Sequence, residues 1–167
     1  MASAGRPLKV DSELEYLDSY INQNDLKGIK KLIEKHGVDC YDPDKRTFLI
    51  NAASMGNIKV LQFVIDCGAN IDFQDKIGYS ALHFAAQNRL IEITDLLIEK
   101  GANVNVRDIH GNSPIWTAIF NAKDDFTIVK KLYKAGADIE TKNKHDKSPK
   151  DFGETVYKDK FMQLINE

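Results

Sequence analysis

The sequence predicts an all-α solenoid, in which helix-turn-helix units of about 33 residues stack side by side. Two independent series of residues support this period. One series consists of glycines that follow apolar segments and lie 31, 33 and 35 residues apart: Gly37, Gly68, Gly101 and Gly136. The other consists of hydroxyl residues that precede apolar segments and lie 33, 33 and 35 residues apart: Thr47, Ser80, Ser113 and Ser148. Because the two series share one period, the chain is predicted to be an array of similar units.

The third unit illustrates how one repeat is expected to begin. Its first string, "DKIGYS", contains Asp75 and Gly78, which favour a tight turn. Ser80 can then cap a helix, because its hydroxyl can accept a hydrogen bond from a free N–H of the first turn. The following string, "ALHFAAQNR", supplies this first helix and a polar turn. Its small alanines allow neighbouring helices to approach closely.

A second helix is predicted in the same unit, over the string "IEITDLLIEK". Its apolar residues, from Ile91 to Ile98, indicate a helix that is buried on most sides. Gly101 ends it, since glycine accepts the left-handed conformation at a helix end. The segment "ANVNVRDIHG" then runs extended and turns at His110 and Gly111, forming a finger that leads into the next unit. No unit of this size can bury its apolar faces alone, so stacking supplies the core.

Three strings carry a family resemblance: "TFLINAA", "SALHFAA" and "SPIWTA". Together with three G-A-[ND] endings, they resemble the ankyrin repeat, whose signature is T-P-L-H-x-A with a period near 33. The resemblance extends over about residues 11–167 and implies an ankyrin repeat solenoid with β-hairpin-like fingers. It implies three full central repeats between an N-terminal and a C-terminal capping unit. The tail and units follow one another as 1–10 (a flexible tail), 11–41, 42–74, 75–107, 108–142 and 143–167.

The terminal units are expected to be atypical, because each has only one neighbour. Residues 11–41 contain two amphipathic segments but no T-P-L-H-like motif. At the other end, Phe161, Leu164 and Ile165 are expected to cover the last face.

Several departures from the family pattern occur, among them Lys131 at a usually apolar place and a finger after Gly37 that is two residues short. Lys45 replaces the turn glycine of the second unit, and the string "NAKDDF" adds two residues between the helices of the fourth.

Composition excludes several classes of function. The net charge is −2, so no overall basic field attracts nucleic acid or an anionic membrane. No apolar run approaches the roughly 20 residues that a membrane-spanning helix needs. The two cysteines, Cys40 and Cys67, form no CxxC pattern. These features favour a reduced, cytoplasmic protein.

Chemical motifs are scarce in the sequence. It contains no GxGxxG or GxxxxGK[ST] phosphate loop, no HExxH motif and no Cys/His cluster with zinc spacing. Its four histidines fall in different units: His36, His83, His110 and His145. The family resemblance implies that His83 is structural and hydrogen-bonds the backbone between adjacent repeats. We therefore predict no enzymatic activity, no cofactor and no metal.

The resemblance also implies where a partner binds. Proteins of this family hold partners on a concave face, made of the finger tips and the exposed side of each first helix. The corresponding positions in this chain are Tyr41, Asp44, Arg46, Met55, Lys76, Ile77, Tyr79, Gln87, Asn88, Arg107, Ile109, His110, Asn112 and Phe120. The last finger adds a basic run at the same places: Lys142, Lys144, His145 and Lys147.

Several of these concave-face candidates are apolar or aromatic: Tyr41, Met55, Ile77, Tyr79, Ile109 and Phe120. Single exposed apolar residues are normal, but a line of them along one face marks an interaction site. Ile77 and Ile109 occupy the same place on successive fingers, and Tyr79 is expected to project beside them as the main anchor. We expect the helical frame not to depend on these three residues. Trp116, at the histidine place of its unit, is expected to be partly in the core.

Taken together, the sequence predicts a non-enzymatic module that binds a folded protein through its concave face. Occlusion of the partner is the simplest mechanism, as in an inhibitor or an immunity-type protein, and the free chain is expected to be a monomer. An adaptor that bridges two proteins is the main alternative. A nucleic-acid binder would need a continuous basic face, which Asp39, Asp42 and Asp44 oppose, and an enzyme would need a pocket that no motif reveals.

Overall fold

A computed structural model of the protein describes residues 11–158, 160, 161 and 163. In this part of the chain, nine α-helices follow the short 3-10 helix Ser12–Tyr16. The helices are numbered in chain order: α1 (Leu17–Asn22), α2 (Leu26–His36), α3 (Phe48–Ser54), α4 (Ile58–Asp66), α5 (Ala81–Gln87), α6 (Ile91–Glu99), α7 (Pro114–Phe120), α8 (Thr127–Lys134) and α9 (Pro149–Tyr157). The predicted tail, 1–10, lies outside the described residues, as do Leu164 and Ile165.

The helices form two layers. In the first layer, α1, α3, α5, α7 and α9 contact one another in sequence, and in the second layer α6 contacts α8. The two layers are joined within each unit, as where α3 packs against α4. No β-strand occurs in the described residues, and their fingers contain one isolated bridge, between Tyr41 and Thr47. The predicted all-α solenoid is confirmed, and its fingers are tight turns rather than pairs of strands.

Small residues allow the first-layer helices to pack closely. Ala52 and Ala53 in α3 and Ala85 and Ala86 in α5 are fully buried. Because an alanine side chain ends at Cβ, the helix axes can approach until the backbones are nearly in contact. This close packing fixes the spacing of the fingers that project from the first layer.

Hydroxyl side chains begin most of the first-layer helices, as the sequence predicts. Thr47, Ser80 and Ser148 each accept a hydrogen bond from the backbone N–H three residues later. These bonds satisfy donors that have no partner within the helix. Ser113 occupies the same place before α7 but makes no such bond.

The second-layer helix α6 ends as predicted but is less buried than predicted. Gly101 follows it with φ +85°, in the left-handed region that glycine favours. Ile93 and Leu97 are buried, whereas Ile91 is 41% exposed. The prediction of a helix buried on most sides is therefore wrong, because α6 lies in the outer of two layers and one of its faces meets solvent.

Each finger turn is held by one side chain that accepts two backbone hydrogen bonds. Asp75 Oδ1, for example, accepts from the N–H groups of Ile77 and Tyr79 at 3.0 and 2.9 Å. The same role belongs to Asp42, Asp108 and Asn143. Lys45 adopts φ +61° at the place where the third unit has Gly78. The turn therefore tolerates the missing glycine, because the carboxylate stabilises its conformation.

The C-terminal unit closes the stack with an aromatic side chain. Phe161 is fully buried, as the sequence predicts for a residue that covers the last face. Its ring lies so close to Gly153 in α9 that a Cβ at that position would sit 2.7 Å from ring carbons. Glycine therefore makes the close contact possible.

Candidate protein-binding face

The fingers are linked to one another by single backbone hydrogen bonds. The N–H of Ile109 donates to the carbonyl of Ile77 at 3.1 Å. Equivalent bonds join Lys76 to Asp44 at 3.2 Å and Lys144 to His110 at 2.9 Å. The finger tips of four successive units therefore form one continuous edge. Residues at the same place on successive fingers lie side by side along this edge.

Most of the predicted apolar side chains are exposed along this face. Ile77 is 45% exposed, Ile109 is 48% exposed and Phe120 is 66% exposed. Tyr41 and Met55 are also exposed, nearer the N-terminal end. None of these five has a place in the buried core, so their side chains are available for contact with another molecule.

Tyr79 differs from the other apolar candidates because its ring supports the frame. It is half-buried and stacks on the His83 ring, with 4.9 Å between ring centroids. It also makes an edge-to-face contact with Phe84, with 5.3 Å between ring centroids. The expectation that the frame does not depend on Tyr79 is therefore wrong. The finger turn directs this side chain along the stack rather than away from it.

Two predicted basic residues also bind neighbouring units. Arg46 Nε lies 3.4 Å from Asp75 Oδ2, and the guanidinium lies over the Phe84 ring at 4.9 Å. The guanidinium of Arg107 donates to two backbone carbonyls of the last finger, those of Thr141 and Lys142. Each arginine therefore links its own unit to a neighbouring one.

The two predicted asparagines join units in a similar way. Asn88 Nδ2 donates to the Ser54 carbonyl at 2.9 Å, and Asn112 Oδ1 accepts from Asn143 Nδ2 at 2.8 Å. Six polar candidates are exposed: Asn88 and Arg107, which bond neighbouring units, and Asp44, Lys76, Gln87 and His110. The His110 ring stacks on that of His145, with 6.1 Å between centroids, so these two histidines lie on neighbouring finger tips.

His83 is buried and makes the structural contacts that the family resemblance implies. Its Nε2 lies 3.1 Å from the Asn112 carbonyl in the next unit, and its Nδ1 lies 3.2 Å from the Ser80 backbone nitrogen. Burial lowers the pKa of His83, although the Asn112 carbonyl and the carboxylates of Asp108 and Asp75 oppose this shift. The side chain has no access to a substrate and belongs to the frame.

An aromatic cluster at the C-terminal end of the face was not predicted from the sequence. The Phe152 ring lies between two others, 5.0 Å from Trp116 and 5.8 Å from Phe120 by ring centroids. Trp116 and Phe120 are one helical turn apart on α7, whereas Phe152 belongs to α9. The signal available in the sequence was a tryptophan at a place where the family motif has histidine.

The start of α7 differs from the start of α5. In the third unit, His83 and Ser80 bond each other at the start of α5. In the fourth, Trp116 takes the histidine place, and Ser113 Oγ is the one buried side-chain oxygen or nitrogen among the described residues that has no hydrogen-bond partner. An indole has no acceptor to offer the hydroxyl.

Charge is distributed unevenly along the face. At the N-terminal end, a hollow of about 450 Å³ is lined by several carboxylates, including those of Glu15, Asp18 and Asp44. At the C-terminal end, the finger that contains Lys144 and Lys147 is basic and exposed. No ion pair involves either of these lysines within the described chain. The face is therefore acidic at one end and basic at the other.

One group of side chains has the composition of a metal site. Asp11, Glu13 and His36 place three possible ligand atoms within 4.8 Å of one another. The ammonium of Lys35 lies among them, 2.6 Å from Glu13 Oε2 and 3.9 Å from Asp11 Oδ2. Lys35 therefore already neutralises these carboxylates. The ion pairs link the start of the first unit to the end of α2.

Comparison with known families agrees with the geometry. A family model described as ankyrin repeats (3 copies) matches residues 18–108 and 59–143, which together make up more than half of the chain. The protein belongs to the ankyrin repeat family. Ankyrin repeats generally mediate protein–protein interaction, and the family is typically non-enzymatic. A search of curated proteins found no match. None of the helices that the structure describes is long and apolar enough to cross a membrane.

Proposed function

We propose that this protein is a non-enzymatic module that binds a folded partner through its concave face and occludes part of the partner's surface. The observation that supports this most directly is the pair Ile77 and Ile109. Both isoleucines are about half exposed, and their fingers are joined by a backbone bond of 3.1 Å. The frame gains little from either side chain, whereas two adjacent apolar side chains on a rigid edge can anchor a partner.

Occlusion is proposed because the face is continuous across four finger tips and is built on a closely packed stack. Such a surface can cover an active or docking site of the partner without rearrangement. The role would be that of an inhibitor or an immunity-type protein, acting as a monomer in the cytoplasm. Two free cysteines are compatible with a reducing compartment, with Cys67 exposed and the pKa of the buried Cys40 raised to about 11 by desolvation.

The test is capture of the partner from native lysate by the wild-type chain and by variants. The double variant Ile77→Ser/Ile109→Ser removes both anchors from exposed positions, so its melting curve should match that of the wild type. We expect it to lose the protein that the wild type retains at near-stoichiometric ratio. In calorimetry with the purified partner, the loss should be about 2 kcal/mol or more, or roughly thirtyfold in affinity.

Two controls use other faces of the molecule. Glu99→Ala changes an exposed residue of α6 and should leave binding unchanged. Ile58→Ser/Ile91→Ser removes two isoleucines of matched exposure at the starts of α4 and α6. If these controls lost the partner while the finger variant kept it, the concave-face assignment would be wrong.

An adaptor remains the second candidate, and one observation favours it. Ile58 and Ile91 line a shallow groove of about 220 Å³ with Leu90, away from the fingers. A second protein could dock there while the concave face holds the first. Many weakly retained proteins, some lost only with Ile58→Ser/Ile91→Ser, would support the adaptor, whereas one dominant protein would support the inhibitor.

A further inference from the structure

The C-terminal end of the concave face combines aromatic rings with unpaired positive charge. Phe120 is 66% exposed and stacks on Phe152 at an interplanar angle of 22°. Phe152 in turn packs against Trp116. Large aromatic side chains in such a row are the residues that most often dominate the energy of an interface.

Trp116 does not make the frame contacts of the histidine that it replaces, which argues that it serves another purpose. Trp116 makes neither of the contacts by which the histidine of the third unit caps its helix and bonds the next finger, and Ser113 Oγ in the same unit is buried without a partner. Local rules of this kind are most often broken at functional sites. The tryptophan makes fewer hydrogen bonds within the frame than histidine does in the third unit, but it extends the aromatic row.

The basic finger tip stands next to this row. Lys147 occupies the place in its unit that Tyr79 occupies in the third, and Phe152 occupies the place of Phe84. In the third unit these two places are in contact, with 5.3 Å between ring centroids. Lys144 and Lys147 have no ion pair within the described chain, whereas nearby Lys142 and Lys150 are paired with Asp146 and Glu140. Unpaired lysines beside an apolar surface favour an acidic partner surface.

We propose that Trp116, Phe120 and Phe152, together with Lys144, His145 and Lys147, bind an acidic segment of the partner protein that inserts an apolar side chain against the Phe120 ring. The proposal rests on the proposed function and adds the chemistry of the partner and its orientation. The acidic segment lies at the C-terminal end of the face, because the carboxylates of Glu15, Asp18 and Asp44 repel it from the other end.

Single-stranded nucleic acid also binds surfaces that combine aromatic rings with lysines. The structure favours protein for two reasons. The Phe152 ring is already packed between Phe120 and Trp116, so few ring faces remain for stacking bases. Exposed lysines are most concentrated on the last finger, and the same edge begins with Asp44, so no continuous basic path follows it.

The experiment uses Trp116 as a local reporter, because it is the only tryptophan of the chain. The probes are a synthetic peptide of alternating glutamate and leucine with one phenylalanine, the same peptide with lysine in place of glutamate, and an oligo(dT) strand. We expect a saturable change in Trp116 fluorescence with the acidic peptide that weakens as salt increases. The basic peptide and the oligonucleotide should bind at least about tenfold more weakly.

Variants locate the binding and separate this proposal from the proposed function. Lys144→Glu/Lys147→Glu and Phe120→Ser should each weaken the acidic peptide at least about tenfold. The control Lys59→Glu/Lys100→Glu makes the same charge change on exposed residues of the other layer and should have no effect. Circular dichroism melts check that each variant folds.

Absence of saturable binding by the acidic peptide, tighter binding of either other probe, or equal binding by all variants would overturn this proposal. A captured partner that is lost with Ile77→Ser/Ile109→Ser but retained by the lysine and Phe120 variants would also overturn it, while leaving the proposed function intact. A partner whose binding is unaffected by all of these variants would overturn both this proposal and the proposed function.

Self-association is tested by sedimentation. If the chain associated with itself in a salt-dependent way that Lys144→Glu/Lys147→Glu removed, the acidic ligand would be a second copy of the chain, and this proposal would be overturned.

Discussion

His83 Nε2 donates a hydrogen bond to the carbonyl of Asn112, 3.1 Å away in the next unit. The proton is on Nε2, because Nδ1 faces the N–H of Ser80 at 3.2 Å and must accept from it. One neutral imidazole therefore caps its own helix and holds the following finger. The contact with the Ser80 N–H requires the uncharged ring, because a protonated Nδ1 cannot accept a hydrogen bond, so this side chain should determine how stability responds to mutation and to pH.

Replacing His83 should destabilise the protein strongly. His83→Ala leaves the Asn112 carbonyl without its donor and opens a cavity beside the Tyr79 ring, so we expect a loss of about 3 kcal/mol in the free energy of unfolding. Urea unfolding followed by circular dichroism measures it. The matched control is His110→Ala, which removes an exposed histidine from a finger tip and should cost less than about 0.5 kcal/mol. Equal effects of the two changes would contradict the structural role.

Stability should fall as pH is lowered from about 7.5 to about 5.5. The pKa of His83 is lowered in the folded state, so the unfolded chain takes up a proton near pH 6.5 while the folded chain resists it. The unfolded state then holds more protons, and unfolding is favoured. The pKa of Asp125 is lowered to about 2, by Thr127 and by Arg89, so that carboxylate affects stability only at pH values below this window.

Urea unfolding at several pH values checks this dependence. A variant that lacks the imidazole, His83→Gln, should show a flatter decline than the wild type, even though it is less stable at every pH. If the two proteins lost stability in parallel, another group would be responsible.

Ser80, which caps α5, and Ser113, which makes no capping bond, should contribute differently to the free energy of unfolding. Ser80→Ala removes an acceptor for the His83 N–H and a partner for the His83 ring, so it should cost about 1 kcal/mol or more. Ser113→Ala removes a buried hydroxyl that makes no hydrogen bond, so it should cause no loss and should raise the free energy of unfolding by up to about 1 kcal/mol. Thermal melts of the two variants provide the comparison. A larger loss for Ser113→Ala would show that its hydroxyl has a partner.

Two glycines should respond differently to alanine for steric reasons. Gly101 has φ +85° with no atom within 4 Å of an added Cβ, so Gly101→Ala should cost only the conformational strain of about 1 kcal/mol. Gly78 has φ +79°, and its added Cβ would lie 2.8 Å from the Asp108 Cα on the next finger. Gly78→Ala should therefore cost at least about 2 kcal/mol.

Denaturant unfolding distinguishes these two outcomes. Equal losses for both glycines would mean that the fingers separate easily, and the rigid edge assumed for partner binding would then be doubtful.

The sequence by itself determined the features that repeat. The period, the serine caps, the glycine after α6 and the carboxylates of the finger turns recur at fixed spacing, and each acts on backbone groups a few residues away. Local hydrogen bonds of this kind depend on residue type and spacing alone, so Ser80, Asp75 and Gly101 could be assigned without a structure. His83 could be assigned because its contact with the next unit is part of the repeated motif.

Only the tertiary structure decided which exposed candidates are free. Tyr79 and Ile77 are two residues apart on one finger, yet the Tyr79 ring packs on His83 while Ile77 remains exposed. The direction of such a side chain depends on the residues that the neighbouring unit places beside it. The spacing of the repeats does not determine those contacts. The meeting of Trp116 with Phe152 has the same origin, because it joins two helices whose relative position is set by close packing of the stack.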